Sequence, residues 1–187
     1  DEALFGYMGY KTTSFPQPIG LASSWNPDLV NKAMRIVALE TKARGCRNVL
    51  CPVVNLPRDI RWGRFHETFG EDPYLASQIA IPYVKAFEEE NIITCPKHFV
   101  ANMGLDGRFG GPVHFTERLL REKYFPAFKA CFQEGGAKMV MMAYNTLDGT
   151  PCTMNEWLMK DILKNEWGFD RIIVSDGGGI TIADKTH

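Results

Sequence analysis

Four short apolar runs constrain this chain more than any other feature. They are residues 48–54 (NVLCPVV), 92–95 (IITC), 138–143 (KMVMMA) and 171–175 (RIIVS). Each ends in a polar or glycine-rich loop, and a helical pattern separates each from the next. Asn26-Pro27 opens one helix, with Val30, Ala33, Met34, Val37, Ala38 and Thr41 on one face and Gly45 as its stop. Asp72-Pro73 opens a second that runs to about residue 90, with Pro82 predicted to kink it. Thr116 caps a third, carrying Leu120, Tyr124, Phe128 and Phe132, bent at Pro126 and closed by Gly135-Gly136. Thr153 and Glu156 read as a capping box for a fourth, through Trp157, Leu158 and Leu163 to Gly168. No hairpin signal is read. Strand–helix alternation without hairpins predicts a parallel sheet with right-handed crossovers. The fold class is α/β, a partial (β/α)8 TIM-like barrel, and residues 1–8 end or follow a further strand.

Length sharpens this reading. A complete eight-stranded barrel takes about 250 residues, and this chain has 187. Residues 1–187 therefore read as one incomplete barrel domain from a protein longer at both ends. An open parallel sheet with two bare edges would be poorly soluble alone.

Composition excludes several classes. Twenty-one basic against 22 acidic residues give a net charge of −1, which argues against nucleic acid and anionic membranes as partners. No apolar stretch approaches the roughly 20 residues of a membrane span. Five cysteines at wide spacings, with no CxxC pair, read as buried free thiols rather than a zinc site. No metal or organic cofactor is implied. The chain begins at Asp1, so periplasmic, secreted and cytoplasmic locations all stay open.

Polar residues sit at the ends of the apolar runs, where a barrel places its chemistry. Asp176 follows the last run and precedes Gly177-Gly178-Gly179. Its local sequence fits a carboxylate nucleophile or a helix cap equally well. Lys97-His98 follows Pro96 at a run's end. Adjacent residues of an extended strand point to opposite faces, so a bend or bulge is needed to bring both to one ligand. Arg58, Arg61 and Arg64 crowd a seven-residue loop with Trp62; one faces a ligand and the others brace Glu67, Glu71 or Asp72. Tyr144 ends the methionine-rich run and reads as a core tyrosine or a charge stabiliser. His66 and His114 lack metal-ligand spacing and read as structural.

Taken in order, these stretches resemble the N-terminal barrel domain of glycoside hydrolase family 3, the family of β-glucosidases, β-xylosidases and exo-glucanases. The resemblance rests on FPQPIGLA (15–22), NLPRDIRWGR (55–64), ETFGEDPY (67–74), KHF (97–99), AYN (143–145), EWGF (166–169) and VSD (174–176). It implies a retaining exo-acting β-glycosidase that releases glucose or xylose, with Asp176 as nucleophile. It implies that Asp1, Arg64, Lys97, His98 and Arg108 grip the terminal sugar, that Tyr144 contacts the nucleophile, and that Met141 lines the pocket. The cationic cluster of Arg64, Lys97 and Arg108 would hold Asp176 deprotonated. The acid/base, in this family a glutamate of a second domain, is expected beyond residue 187, so the fragment alone is expected to be nearly inactive. Two departures stand out. Gly177 replaces the tryptophan common after the nucleophile, and the Pro-Gly-His loop of the N-acetylglucosaminidases is absent. The alternatives are a Schiff-base barrel aldolase using Lys97 and a non-catalytic sugar-binding module.

Overall fold

The computed structural model describes all residues except 104–106, 110 and 187, and leaves the side chains at 108, 182 and 184–186 undescribed. Helices α1 (Pro18–Ala22) and α2 (Pro27–Ala43) lead into strand β1 (Asn48–Val49). Asn26 caps α2, its side chain accepting from the Leu29 N–H at 3.0 Å, and Pro27 follows where no N–H is needed. Helix α3 (Pro73–Glu88) follows, capped by Asp72, whose Oδ1 accepts from the Leu75 N–H at 2.7 Å. It continues through Pro82 as one helix. Strands β2 (Ile93–Thr94) and β3 (Lys97–Phe99) come next.

β1 pairs parallel with β2, and the ladder runs on: Cys95 N–H donates to Cys51, Lys97 N–H to Pro52, and Val54 N–H to Lys97, each at 3.0 Å. Strand β4 (Met139–Met142) pairs parallel with β3. A short antiparallel ribbon, β5 (Thr146–Leu147) and β6 (Thr150–Pro151), precedes β7 (Ile172–Ser175), which pairs parallel with β4. The result is an arc of four consecutive parallel strands with helices on one side. This is the TIM-barrel-like α/β arrangement. The backbone of Asp1 extends it: its terminal amine donates to Asn48 O at 3.2 Å, and its carbonyl accepts from Leu50 N–H at 2.8 Å.

Three local readings change. The ribbon turns at Asp148-Gly149, both at positive φ (49° and 86°). This is the Asp-Gly hairpin signal that the reading of the sequence passed over. The helix expected from Thr153 begins later: Asn155 is the cap, its Oδ1 accepting from Leu158 N–H at 3.1 Å, and Thr153 lies in the preceding 3-10 turn, Cys152–Met154. An amide side chain at 155 reaches the first-turn N–H directly, so no capping box forms. The third helix is not uniform either. α4 (Glu117–Leu119) passes into a π-turn, Leu120–Tyr124, before α5 (Pro126–Gln133). Proline clashes with the carbonyl four residues back. Just before it, Phe125 N–H donates five residues back, to Leu120 O at 2.8 Å. Helix α6 (Gly179–Thr186) closes the described chain.

The core lies between the arc and its helices. Phe99 on β3 meets Phe128 edge-on at 5.1 Å, Phe125 at 5.7 Å and Trp167 at 5.8 Å, each such pair worth about 0.5–1.5 kcal/mol beyond its buried area. Helices α3 and α5 approach closely at Gly135, where a Cβ would lie 2.7 Å from Cys131 O and 2.9 Å from Val84 Cγ1. Buried Tyr83 of α3 donates to the carbonyls of Ala3 and Leu4, at 2.8 and 3.0 Å, tying the N-terminal segment down. Cys51, Cys95, Cys131 and Cys152 are buried free thiols and Cys46 is half-buried. Among the described residues, no helix is long and apolar enough to cross a membrane.

Candidate active site

The polar residues singled out in the sequence gather at the carboxyl ends of the parallel strands. Asp176 follows β7 directly, and its N–H donates to Met142 O at 3.2 Å, so the sheet ladder fixes its position. Its carboxylate divides its contacts. Oδ1 accepts from the Gly177 N–H at 2.7 Å, while Oδ2 lies 3.5 Å from His98 Nε2. The carboxylate therefore faces the rim as well as its own loop.

His98 is buried and clamped by Asn55. Asn55 Oδ1 accepts from the His98 backbone N–H at 2.7 Å and lies 3.0 Å from Nδ1, while Asn55 Nδ2 donates to His98 O at 2.9 Å. Arg64 Nη1 lies 2.9 Å from Nε2. A guanidinium only donates. Nε2 therefore accepts, and the ring proton sits on Nδ1 against Asn55. Asn55 is a site residue that the sequence reading did not single out. A polar side chain closing the first apolar run is the signal that marks it.

Arg64 is the loop arginine that turns inward, 7% exposed. Its Nε and Nη2 meet Glu67 Oε1 and Oε2 at 2.9 and 2.6 Å, a bidentate fork. Its guanidinium also lies 5.8 Å from the Trp62 ring. Burial pushes the Glu67 carboxyl up, but the bonds and charge of Arg64, with help from Lys97 and His66, bring it below the usual range. Arg61 turns outward and pairs with Asp59. His66 and His114 are exposed, as surface residues are, and His114 pairs with Asp148 at 3.3 Å.

Lys97 and His98 both reach the interior because β3 is irregular: the register with β4 shifts between Lys97 and Phe99. A bulge of this kind re-aims side chains. Lys97 is 3% exposed, and its ammonium donates to both oxygens of Glu2, at 2.8 and 3.0 Å. A Schiff-base role needs that nitrogen unpaired. Asp1 is placed differently. Its side chain is exposed, with Oδ2 accepting from Tyr7 OH at 3.1 Å. Ala3 is buried and held through its carbonyl by Tyr83, and Glu2 points the other way, to Lys97, as alternation along the segment predicts.

Tyr144 donates to Gly177 O at 2.6 Å, one residue past Asp176. Met141 is buried in β4, between Lys97 of β3 and Val174 of β7. Arg108 belongs to a 3-10 turn, Gly107–Phe109, and its side chain lies outside the described residues. Beneath the rim, Trp62 Nε1 donates to Asn102 Oδ1 at 2.8 Å, and Asn102 Nδ2 to Asn145 Oδ1 at 3.3 Å. A surface hollow of about 520 Å³ lies elsewhere, on the helical side, lined by Tyr74, Arg121, Lys129, Glu166 and Trp167. It holds none of the rim residues.

Parallel strands alternating with helices, and a polar cluster at the strands' carboxyl ends, define a TIM-barrel-like α/β protein with its site on the usual rim. The glycosyl hydrolase family 3 N-terminal domain matches residues 2–187, and the chain belongs to that family. A β-xylosidase of Formosa agariphila is 37% identical, over 100% of this chain and 28% of its own length. An exo-α-(1→6)-L-arabinopyranosidase of Bifidobacterium longum is 39% identical, over 89% of this chain and 22% of its own. Among solved structures, a β-glucosidase from Erythrobacter marinus superposes with a TM-score of 0.95 at 29% identity, covering 100% of this chain and 26% of that one. The chain thus spans about a quarter of the length of the relatives it matches.

Proposed function

We propose that the complete protein is a retaining, exo-acting β-glycosidase with Asp176 as its nucleophile. The observation that carries this reading is the setting of Asp176: the end of a parallel strand, one oxygen toward the buried His98–Arg64 pair, in a rim that also holds buried Lys97 paired with partly exposed Glu2. A pyranose needs many donors and acceptors held in place, and charged pairs supply them at short range.

In the first step an Asp176 oxygen bonds to the anomeric carbon and the bond to the leaving oxygen breaks. That oxygen takes a proton from a general acid. In the second step water attacks the same carbon, giving its proton to the same group, and Asp176 is released. The transition states carry oxocarbenium character, which an adjacent carboxylate stabilises. Retention needs the two carboxyl groups about 5–5.5 Å apart. The nearby Glu67 and Glu2 are committed to Arg64 and Lys97. As the family resemblance implies, the acid is expected from a second domain of the longer polypeptide, and residues 1–187 alone are expected to turn over little or no substrate.

Arg64, Lys97, His98 and Arg108 hold the terminal sugar, with Met141 behind them. Glu2, rather than Asp1, accepts from the hydroxyls farthest from the scissile bond, because Glu2 shares the pocket with Lys97. Glucose and xylose differ by one hydroxymethyl group, and both are carried forward as substrates.

The test is mechanism-based labelling of the complete protein with 2-deoxy-2-fluoro β-glucosyl and β-xylosyl fluorides. Mass analysis is expected to find the glycosyl group on the peptide bearing Asp176. Asp176→Asn is expected to lose labelling and turnover while still binding the monosaccharide. An active, still-labelled Asp176→Asn protein would overturn the assignment.

A further inference from the structure

Resting on the β-glycosidase reading above, we propose that Asn55 is a positioning residue that keeps His98 neutral, and that this neutrality leaves Asp176 Oδ2 ready to bond to the anomeric carbon. Asn55 closes the first apolar run and is 3% exposed, and His98 is 1% exposed. Three contacts join them. The backbone of His98 decides which end of the amide lies where. Its N–H can only donate, so the atom 2.7 Å from it is Asn55 Oδ1. Its carbonyl can only accept, so the atom 2.9 Å from it is Asn55 Nδ2.

The amide oxygen is then also the atom 3.0 Å from His98 Nδ1. An amide oxygen cannot donate, so the ring proton is on Nδ1. On the other side Arg64 Nη1 lies 2.9 Å from Nε2 and requires a lone pair there. Both neighbours select the same form, a neutral ring protonated on Nδ1. An imidazolium would aim its second proton at a guanidinium.

The consequence falls on Asp176. Its Oδ2 lies 3.5 Å from Nε2, with lone pairs on both atoms, whereas a charge-assisted bond closes to about 2.7–2.9 Å. Neutral His98 donates nothing to that oxygen, and Oδ1 carries the bond from the Gly177 N–H. A proton on Nε2 would hold Oδ2 in an ion pair and lower its nucleophilicity. Among the described residues, the charged groups around the ring are Arg64 with its partner Glu67, Lys97 with Glu2, and Asp176 itself. Arg64 and Lys97 are each balanced by a carboxylate, so the side chain at 55 tips the charge of the ring. An aspartate at 55 would match the amide in shape, but it would draw a second proton onto the imidazole and offer no donor to the carbonyl of His98. The amide avoids both.

The experiment follows the rate of Asp176 labelling by the 2-deoxy-2-fluoro glycosyl fluorides against pH, in the complete enzyme and in its Asn55→Asp and Asn55→Ala variants. Fluoride leaves without needing a proton, so this rate isolates the Asp176 side of the site from the general acid. The neutral ring is the working form, and a carboxylate at 55 keeps the ring charged to higher pH. In Asn55→Asp the pH of half-maximal rate is therefore expected to rise by about one to two units, the size of one charge-assisted hydrogen bond, with the rate recovering above it. In Asn55→Ala the maximal rate is expected to fall about tenfold at an unmoved midpoint, with the monosaccharide inhibition constant changed less than about threefold. A merely structural support would weaken both variants alike and leave both midpoints in place. An Asn55→Asp midpoint within about 0.3 units of the starting enzyme's, or no recovery of rate in alkali, in protein that still binds the monosaccharide, would overturn the proposal. So would equal losses of labelling rate and monosaccharide binding in Asn55→Ala, which decides the matter if Asn55→Asp does not fold. These results leave the β-glycosidase reading intact, whereas absence of labelling in the starting enzyme would overturn both.

Discussion

Replacing Glu67 by Gln tests whether the Arg64–Glu67 fork braces the site. The substitution keeps the shape and one acceptor but removes the charge, leaving a guanidinium that is 7% exposed facing Trp62 and His98. Breaking a fully buried pair costs about 3–5 kcal/mol, whereas exposed pairs contribute about 0–1 kcal/mol. The side chains here are 8% and 15% exposed, near the buried limit, with some water at the carboxylate. Gln also retains part of the hydrogen bonding. The expected loss is therefore about 2 kcal/mol. Urea unfolding followed by tryptophan fluorescence measures it. The pH dependence carries the sharper test. Glu67 has a depressed folded pKa, so its contribution is fully present above the unfolded value of about 4.3. It is lost as pH falls through the lower, folded value. The difference between the two proteins should be constant near neutrality and shrink only below about pH 4. A loss under about 0.5 kcal/mol at pH 7, or a difference that does not shrink in acid, would refute the reasoning.

Two further outcomes are expected. Glu2→Gln should lower kcat/KM by about 10–100-fold through loss of a charge-assisted pair, while Asp1→Asn changes it by less than about threefold, within the range of an exposed polar group. Aryl glycoside kinetics on the complete enzyme decide this, and the reverse order would return the sugar-binding role to Asp1. Within residues 1–187, native protein at pH 8 should be alkylated at half-buried Cys46 alone. Burial pushes Cys51, Cys95 and Cys152 up to about 12 and raises Cys131 as well. Peptide mapping after iodoacetamide checks it, and modification of any of the four in folded protein counts against the buried placement.

What the sequence made legible were features fixed by short-range chemistry. Asn26-Pro27 and Asp72-Pro73 each place a side-chain acceptor and a missing N–H where a helix begins, and both caps form. The apolar runs gave the four parallel strands, since a helix-covered parallel sheet needs near-continuous apolar sequence; β7, at one end of the arc, is nonetheless only partly buried. Thr153 misled because a better acceptor, Asn155, stands two residues on. The π-turn before Pro126 was hidden, since a proline announces a disturbance but not which carbonyl Phe125 then takes.

The site divides along the same line. Asp176, Arg64, Lys97, His98 and Tyr144 stood out because polar residues at strand ends are conspicuous. Glu67, three residues from Arg64, was already legible as an arginine's partner; the distant partners were not, because pairing across 34 to 95 positions of chain follows from how the strands pack and not from spacing. Glu2 is the instructive case. Choosing between Asp1 and Glu2 required knowing which neighbour is buried, and that follows once Tyr83 takes the carbonyl of Ala3. Period-two alternation then sends residue 2 to the face opposite Ala3, toward Lys97, while Asp1, on Ala3's face, is exposed and bonded to Tyr7. At Lys97-His98 the same alternation fails, because the β3 bulge breaks it. One rule, applied where the strand is regular and suspended where it is not, accounts for both halves of the charged cluster beside Asp176.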